Sequence, residues 1–166
     1  MKLQLSRPGC SLRPVTLEDM PMLLEIYAST RKQEMEKLPH WSAAMKSEFL
    51  ASQFMHQQKH YKSQYPGADF WVICEDHRVI GKLYFHEDYE DSMRIIDITL
   101  LPEHRDKGIG TDILKDLMEK AKSIDRPLTI HVESFNPAKS LYTRLKFKTI
   151  SEVNAVYHLM EWKHTI

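Results

Sequence analysis

Apolar residues recur along the chain at two different periods, and the change from one to the other divides it. Residues 10–15 read as a first strand, and Thr16-Leu17-Glu18-Asp19 follows with a hydroxyl cap and first-turn acids, which start a helix. Met20, Leu23, Leu24, Tyr27 and Ala28 then fall at helical spacing until the pattern fades after Arg31. A second helix is predicted over 42–64, carrying Phe49, Leu50, Phe54 and Tyr61, and Tyr65-Pro66-Gly67 ends it.

Beyond that break the runs shorten and fill with β-branched and aromatic residues. Segments 70–74 and 79–85, separated by the polar turn Glu75-Asp76-His77-Arg78, form a predicted hairpin. A polar loop over 86–92 leads to a third strand, 94–101, which stops at Pro102. A helix over 108–124 follows, its apolar stripe made by Ile113, Leu114, Leu117, Met118 and Ala121, and then a strand over 128–134. Residues 94–134 are therefore one βαβ unit, whose two strands should be parallel and joined by a right-handed crossover. A short helix over 137–145 and a pair of strands, 147–152 and 155–162, complete the chain. The expected class is α/β or α+β: a mixed, strongly twisted central sheet flanked by helices on both faces, in a single domain spanning residues 1–166.

Composition narrows the function more than the fold. Lys plus Arg and Asp plus Glu both number 23, so no global field exists to hold nucleic acid or an anionic membrane, and neither is expected as a partner. Cys10 and Cys74 are too few for a disulfide framework, and there is no signal-peptide core or membrane-length apolar run, so a cytoplasmic location is the expectation. Nine histidines are spread along the chain without an H-E-x-x-H motif, so no metal is expected.

The most specific local signal is Arg105-Asp106-Lys107-Gly108-Ile109-Gly110-Thr111, between the end of a strand and the start of a helix. The N–H groups of a helix's first turn lack intrahelical acceptors and sit at the positive end of its dipole, so they bind phosphate oxygens if side chains do not block the approach. Gly108 and Gly110 remove that block, and Arg105 and Lys107 add charge. In isolation the same residues also suit a tight solvated turn. Only five glycines occur in the whole chain, however, and two fall here. The dinucleotide fingerprint G-x-G-x-x-G and the P-loop are absent.

Two stretches resemble the GNAT superfamily of acyl-CoA-dependent N-acyltransferases, with a likeness running from Leu12 to about Trp162. Residues 95–110 look like that family's central strand and pyrophosphate loop, R/Q-x-x-G-x-G/A, and Asn136-Pro137-Ala138-Lys139-Ser140-Leu141-Tyr142 looks like its segment that begins with Asn and ends in A-x-x-L-Y. The resemblance implies acetyl-CoA as co-substrate, parallel strands that splay to admit the pantetheine arm near Leu100 and Leu101, and a loop from Arg105 through Asp106, Lys107, Gly108, Ile109, Gly110 and Thr111 around the pyrophosphate. It also implies that Asn136 and Ser140 contact the arm and that Tyr142 lies near the thioester sulfur. One departure is visible. Lys146 stands where the family often has a helix-ending glycine, a substitution costing about 1 kcal/mol if the left-handed backbone is retained.

Acetyl transfer to an amine needs a proton acceptor and help for the departing sulfur. Tyr142 is the candidate donor to sulfur. Alternation puts Ile96, Ile98 and Leu100 on one face of their strand and Asp97, Thr99 and Leu101 on the other, and places Thr129, His131 and Glu133 on one face of the next. Fully covered parallel strands read as continuous apolar runs, so these polar faces suggest the floor of a site. Asp97, His131 and Glu133 are the candidate bases, Asp97 foremost because the matching family position often faces the acceptor. The acidic segment from His86 to Asp91 and the trio Glu34, Glu36 and His40 suit either a role in drawing in the acceptor or plain solvated surface. The acceptor, a small-molecule or peptide amine, is not specified, and a homodimer is expected. A CoA-binding sensor or regulatory module without catalysis is the alternative reading.

Overall fold

The computed structural model describes residues 3–164. Its strands are β1 (Cys10–Pro14), β2 (Asp69–Glu75), β3 (Arg78–Tyr89), β4 (Ser92–Leu100), β5 (Leu128–Glu133), β6 (Lys148–Val153) and β7 (Tyr157–Trp162). The α-helices are α1 (Met20–Thr30), α2 (Lys32–Glu36), α3 (Ala43–Gln64), α4 (Ile109–Ser123) and α5 (Ala138–Arg144). Among the described residues the strands form one seven-stranded sheet in the order β1-β2-β3-β4-β5-β7-β6. All neighbours are antiparallel except β4 and β5.

The helices cover both faces, each over its own apolar cluster. On one face Ile113, Leu114 and Leu117 of α4 meet Leu83, Phe85, Met93, Ile95, Leu128 and Ile130 of the strands, with Tyr142 and Phe147 closing the far end. On the other, Leu23 and Ile26 of α1 and Phe54 of α3 pack on Val72 and Leu101. Burial of these side chains, worth about 1.5–3 kcal/mol for each large one, supplies the main drive for the layers to assemble. The long helix begins where its cap dictates: the Ser42 hydroxyl accepts from the Met45 N–H at 3.1 Å. Asp19 closes a capping box with Thr16 on the turn before α1, accepting from the Thr16 N–H at 2.7 Å while Arg13 grips both its oxygens. That grip holds the Asp19 carboxyl down at about 2.

Three local features differ from the periodicity. The polar segment expected as a loop over 86–92 is the far end of the β3–β4 hairpin, turning only at Glu90 and Asp91, whose φ angles are 49° and 63°. Such two-residue turns favour Asn-Gly or Asp-Gly, and without a glycine this one carries no sequence signal. The connection after Arg31 holds the short helix α2, which brings Glu34 and Glu36 onto an exposed turn. Lastly, Tyr84 pairs with Asp97 but Phe85 pairs with Ile95, which leaves Ile96 as the extra residue of a β-bulge. Ile95 rather than Ile96 therefore shares the α4 face with Ile98 and Leu100, and the strict alternation expected across this strand fails at that one position.

Lys146 follows α5 with φ at 75°, so the turn keeps the left-handed backbone that glycine adopts without cost. Lys146→Gly is expected to raise the stability of the protein by about 1 kcal/mol. A denaturant midpoint that moves down, with unchanged slope, would contradict this.

Candidate active site

Strands β4 and β5 pair over only three positions, Met93 with Leu128, Arg94 with Thr129 and Ile95 with Ile130. Beyond them β5 continues against β7 as far as Glu133, and β4 continues against β3 as far as Leu100, so the two parallel strands separate at the bulge. The result is a cleft of about 520 Å³ whose walls include Ile98, Thr99, Ile130, Val132, Tyr142 and residues of α1 and α3. The expected opening between the parallel strands is therefore present. Leu101 donates its N–H to Ile80 of β3 at 2.8 Å. By ladder alternation the Leu100 N–H and carbonyl then face the cleft.

At the edge of this opening lies the glycine loop. Gly108 is the residue before α4 and has φ at 84°, while the Asp112 N–H is the first to find a helical acceptor, the Gly108 carbonyl at 3.0 Å. The N–H groups from Asp106 to Thr111 have no backbone acceptor among the described residues. They form the cradle that the sequence suggests. The two glycines serve different needs. Gly108 meets a backbone requirement, whereas a Cβ on Gly110 would find only the Leu100 side chain, at 3.9 Å, and would otherwise project into the open space before the helix.

Arg105 is held by two neutral acceptors. Its Nε donates to the Leu100 carbonyl at 2.9 Å and an Nη to the Ser29 hydroxyl at 3.1 Å, so the guanidinium ties the end of β4 to α1. Of the two residues expected to add charge at the loop, Arg105 and Lys107, the first thus has two of its donors engaged by Leu100 and Ser29. Two other expected contacts are partly occupied locally: Asn136 Oδ1 accepts from the Ala138 N–H at 2.9 Å, which starts α5, and the Ser140 hydroxyl donates to the Pro137 carbonyl.

Polar side chains gather on the cleft face of the sheet. Asp97 Oδ1 accepts from the Thr99 hydroxyl at 2.7 Å and Oδ2 from the Tyr61 hydroxyl at 3.3 Å, while Lys82 Nζ lies 3.0 Å from Oδ2. Both members of this ion pair are withdrawn from water, at 2% and 13% side-chain exposure. The sequence does not reveal the partners Lys82 and Tyr61, although a lone lysine inside the apolar run 79–85 is a signal that a buried charge needs one.

His131 stands open to the cleft, with its Nδ1 3.5 Å from an Nη of the buried Arg94. A guanidinium can only donate, so this contact makes Nδ1 the acceptor and leaves the proton on Nε2. Loss of solvent around the ring, aided by the Arg94 charge, lowers the pKa of His131 and keeps it neutral. Its Nε2 then carries a donor N–H. Glu133 also lines the cleft, and its carboxylate has no hydrogen-bond partner among the described residues. Tyr142 is 5% exposed and packs edge-on against Phe147, with its hydroxyl unpartnered among the described residues. Burial, and then the Asp97 charge, raise its pKa well above the usual phenol value. Among the described residues no cluster of His, Cys, Asp and Glu could hold a metal ion, and no helix is long and apolar enough to cross a membrane.

The sequence matches the family described as Acetyltransferase (GNAT) family over residues 32–147. Solved structures share the fold at low identity. The PaiA N-acetyltransferase of Thermoplasma acidophilum in complex with coenzyme A is 18% identical, over 93% of this chain and 99% of that one, with a TM-score of 0.66. An acetyltransferase of Thermus thermophilus is 16% identical over 94% and 97% of the two chains, with a TM-score of 0.67. An acetyltransferase of Salmonella typhimurium that modifies the N-terminal serine of ribosomal protein L7/L12 is 18% identical over 93% of each chain, with a TM-score of 0.58. A search of curated proteins finds no match.

Because the position of Gly110 is open on the protein side, Gly110→Val is expected to preserve the fold and to abolish stabilisation by coenzyme A. Melting curves with and without the ligand test this, and an unaltered ligand-induced shift would show that no phosphate lies there.

Proposed function

Since the chain belongs to the GNAT acetyltransferase family, we propose that it transfers the acetyl group of acetyl-CoA to a primary amine, directly, within a ternary complex. The observation that carries this reading is the junction of three features in one cleft: splayed parallel strands, the cradle of free N–H groups beside them, and Tyr142 with its hydroxyl unengaged. The residues present suit the coenzyme. The loop from Asp106 to Thr111 would hold its pyrophosphate, and the Leu100 N–H would meet the pantetheine arm or polarise the thioester carbonyl. The coenzyme itself supplies an activated acyl group.

The reaction replaces a C–S bond by a C–N bond, and the attacking amine must lose a proton. Glu133 is the side chain best supported as its acceptor, directly or through one water, because its oxygens are not already engaged. Asp97 lies on the same face but is saturated by Thr99, Tyr61 and Lys82, which makes it an anchor for the cleft floor. His131, neutral with its Nε2–H toward the cleft, is suited to orient the acceptor or the acetyl oxygen. Tyr142 keeps its proton at neutral pH. Full transfer to a thiolate whose conjugate acid has a pKa of about 8.5 is uphill from so weak an acid, so Tyr142 stabilises the leaving sulfur by donating a hydrogen bond to it.

The cleft offers the acceptor aromatic walls at Tyr27, Tyr61 and Tyr65 and polar groups at Arg31, His60 and Gln57, which suits a small polar amine or the end of a peptide. We read the protein as a cytoplasmic homodimer, the support for the dimer being the wholly exposed outer strand β6. Release of free thiol from acetyl-CoA in the presence of mixed amines tests the activity. A protein that binds coenzyme A but releases no thiol with any amine would instead be a sensor.

The assigned roles separate in mutants. Tyr142→Phe keeps the ring and removes the donor, so kcat should fall about 10²-fold while coenzyme affinity hardly changes. An undiminished kcat with a good acceptor would mean that the thiolate leaves unaided.

Glu133→Gln should lower the rate most near neutral pH, with partial recovery as the pH rises and more amine becomes neutral without help. Asp97→Asn should behave differently, destabilising the fold by about 3–5 kcal/mol because Lys82 is left buried without its counter-charge. If the pH-dependent loss appears in Asp97→Asn and not in Glu133→Gln, the roles are reversed.

A further inference from the structure

The segment before β1 runs along α4, a hundred residues away in sequence. Leu3 is buried in the core and Leu5 packs against it, and the Ser6 N–H donates to Asp116 at 2.9 Å. Gly9, with φ at 80°, then turns the chain into β1, and the Cys10 N–H closes back on the Arg7 carbonyl at 3.1 Å. Held at both ends, this segment delivers the Arg7 side chain to the glycine loop. One Nη lies 2.8 Å from Asp112 Oδ2 in the first turn of α4, the other donates to the Lys107 carbonyl at 3.3 Å, and the guanidinium sits 3.7 Å from where a Cβ on Gly108 would be.

We propose that Arg7 is the cation that binds the coenzyme's pyrophosphate, completing from the N-terminal segment a cradle whose other donors are the backbone N–H groups of the loop. The inference rests on coenzyme A being the ligand. The charge placement supports it from both sides. Arg105, the arginine within the loop sequence, directs its Nε and one Nη to Leu100 and Ser29. Asp112, by contrast, is a carboxylate in the first turn of α4, whose charge would oppose an anion bound at the loop unless neutralised. Arg7 supplies that neutralisation, and its side chain retains 29% exposure, so the guanidinium remains accessible with donors beyond those its two partners use. Recognition of the pyrophosphate thus joins two ends of the sequence, and a bound ligand would pin the N-terminal segment to α4.

Isothermal titration of wild-type, Arg7→Gln and Asp112→Asn proteins with coenzyme A, dephospho-coenzyme A and acetyl-pantetheine tests this. Arg7→Gln should weaken coenzyme A about tenfold, the size of one charge-assisted hydrogen bond, and less at high salt. The same loss should persist with dephospho-coenzyme A, which keeps the pyrophosphate, and should be absent with acetyl-pantetheine, which has none. Asp112→Asn removes a negative charge and frees the guanidinium, so it should bind coenzyme A several-fold more tightly. A guanidinium that only tethers the N-terminal segment predicts the opposite: equal or weaker binding in Asp112→Asn, and a loss in Arg7→Gln that extends to acetyl-pantetheine. Either result overturns the assignment, as does a loss confined to the 3′-phosphorylated ligand or unchanged affinity in Arg7→Gln. If the wild-type protein binds none of the three ligands, the proposed function fails and this inference with it. Normal wild-type binding with an indifferent Arg7 removes the inference alone.

Discussion

Everything at the cleft depends on two parallel strands that hydrogen-bond over three pairs and then stop. Continued pairing would satisfy the backbone of both and leave a closed sheet with no opening between β4 and β5. The bulge at Ile96 prevents it, adding one residue to β4 where the strands part. Backbone groups left without a partner inside a fold carry a cost that water or a ligand must relieve. In this chain they face a cleft, where an extended polar arm can take the place of the missing strand.

The bulge has a second effect, on side chains. Ile95, Ile98 and Leu100 remain in the α4 core, while Asp97 and Thr99 turn to the cleft with Lys82, next to them across the sheet. A lysine at 2% exposure is sustainable only beside a counter-charge, and Asp97 in turn is fixed by Tyr61 of α3. The ion pair therefore locks α3 to the sheet and fills the floor of the cleft, leaving the reactive positions to residues farther along the gap. Glu133 and Tyr142, on β5 and α5, are free of such bonds. Neutrality of the whole chain and sharp local charge are thus compatible, because the charges are sorted by the fold.

The same sorting decides which arginine stands beside the glycine loop. Arg105 is adjacent to the glycines in sequence, yet its Nε reaches back to cap the Leu100 carbonyl that the splay exposed. Arg7 is remote in sequence and stands beside the loop because Leu3 and Leu5 bury themselves against the α4 face. Proximity along the chain says little about where a side chain on a long flexible stem will find its partner.

Local physics made much of this protein legible from its sequence. The helical stripe of α4, the extent of α3, the glycines at a strand-to-helix junction and the βαβ order are consequences of short-range periodicity and backbone freedom, and they fix the layers and the cradle. The polar faces of β4 and β5 were readable for the same reason, whereas the turn at Lys146 was marked only by the family resemblance, as the place of a helix-ending glycine. Other features were not readable: the turn at Glu90 and Asp91, the bulge at Ile96, the Lys82–Asp97–Tyr61 cluster, the diversion of Arg105 and the arrival of Arg7. Each depends on register or contact between segments distant in the chain. A sequence states which residues prefer to be buried, turned or paired, whereas the choice of partner is made by the global packing that brings distant segments within a few ångströms.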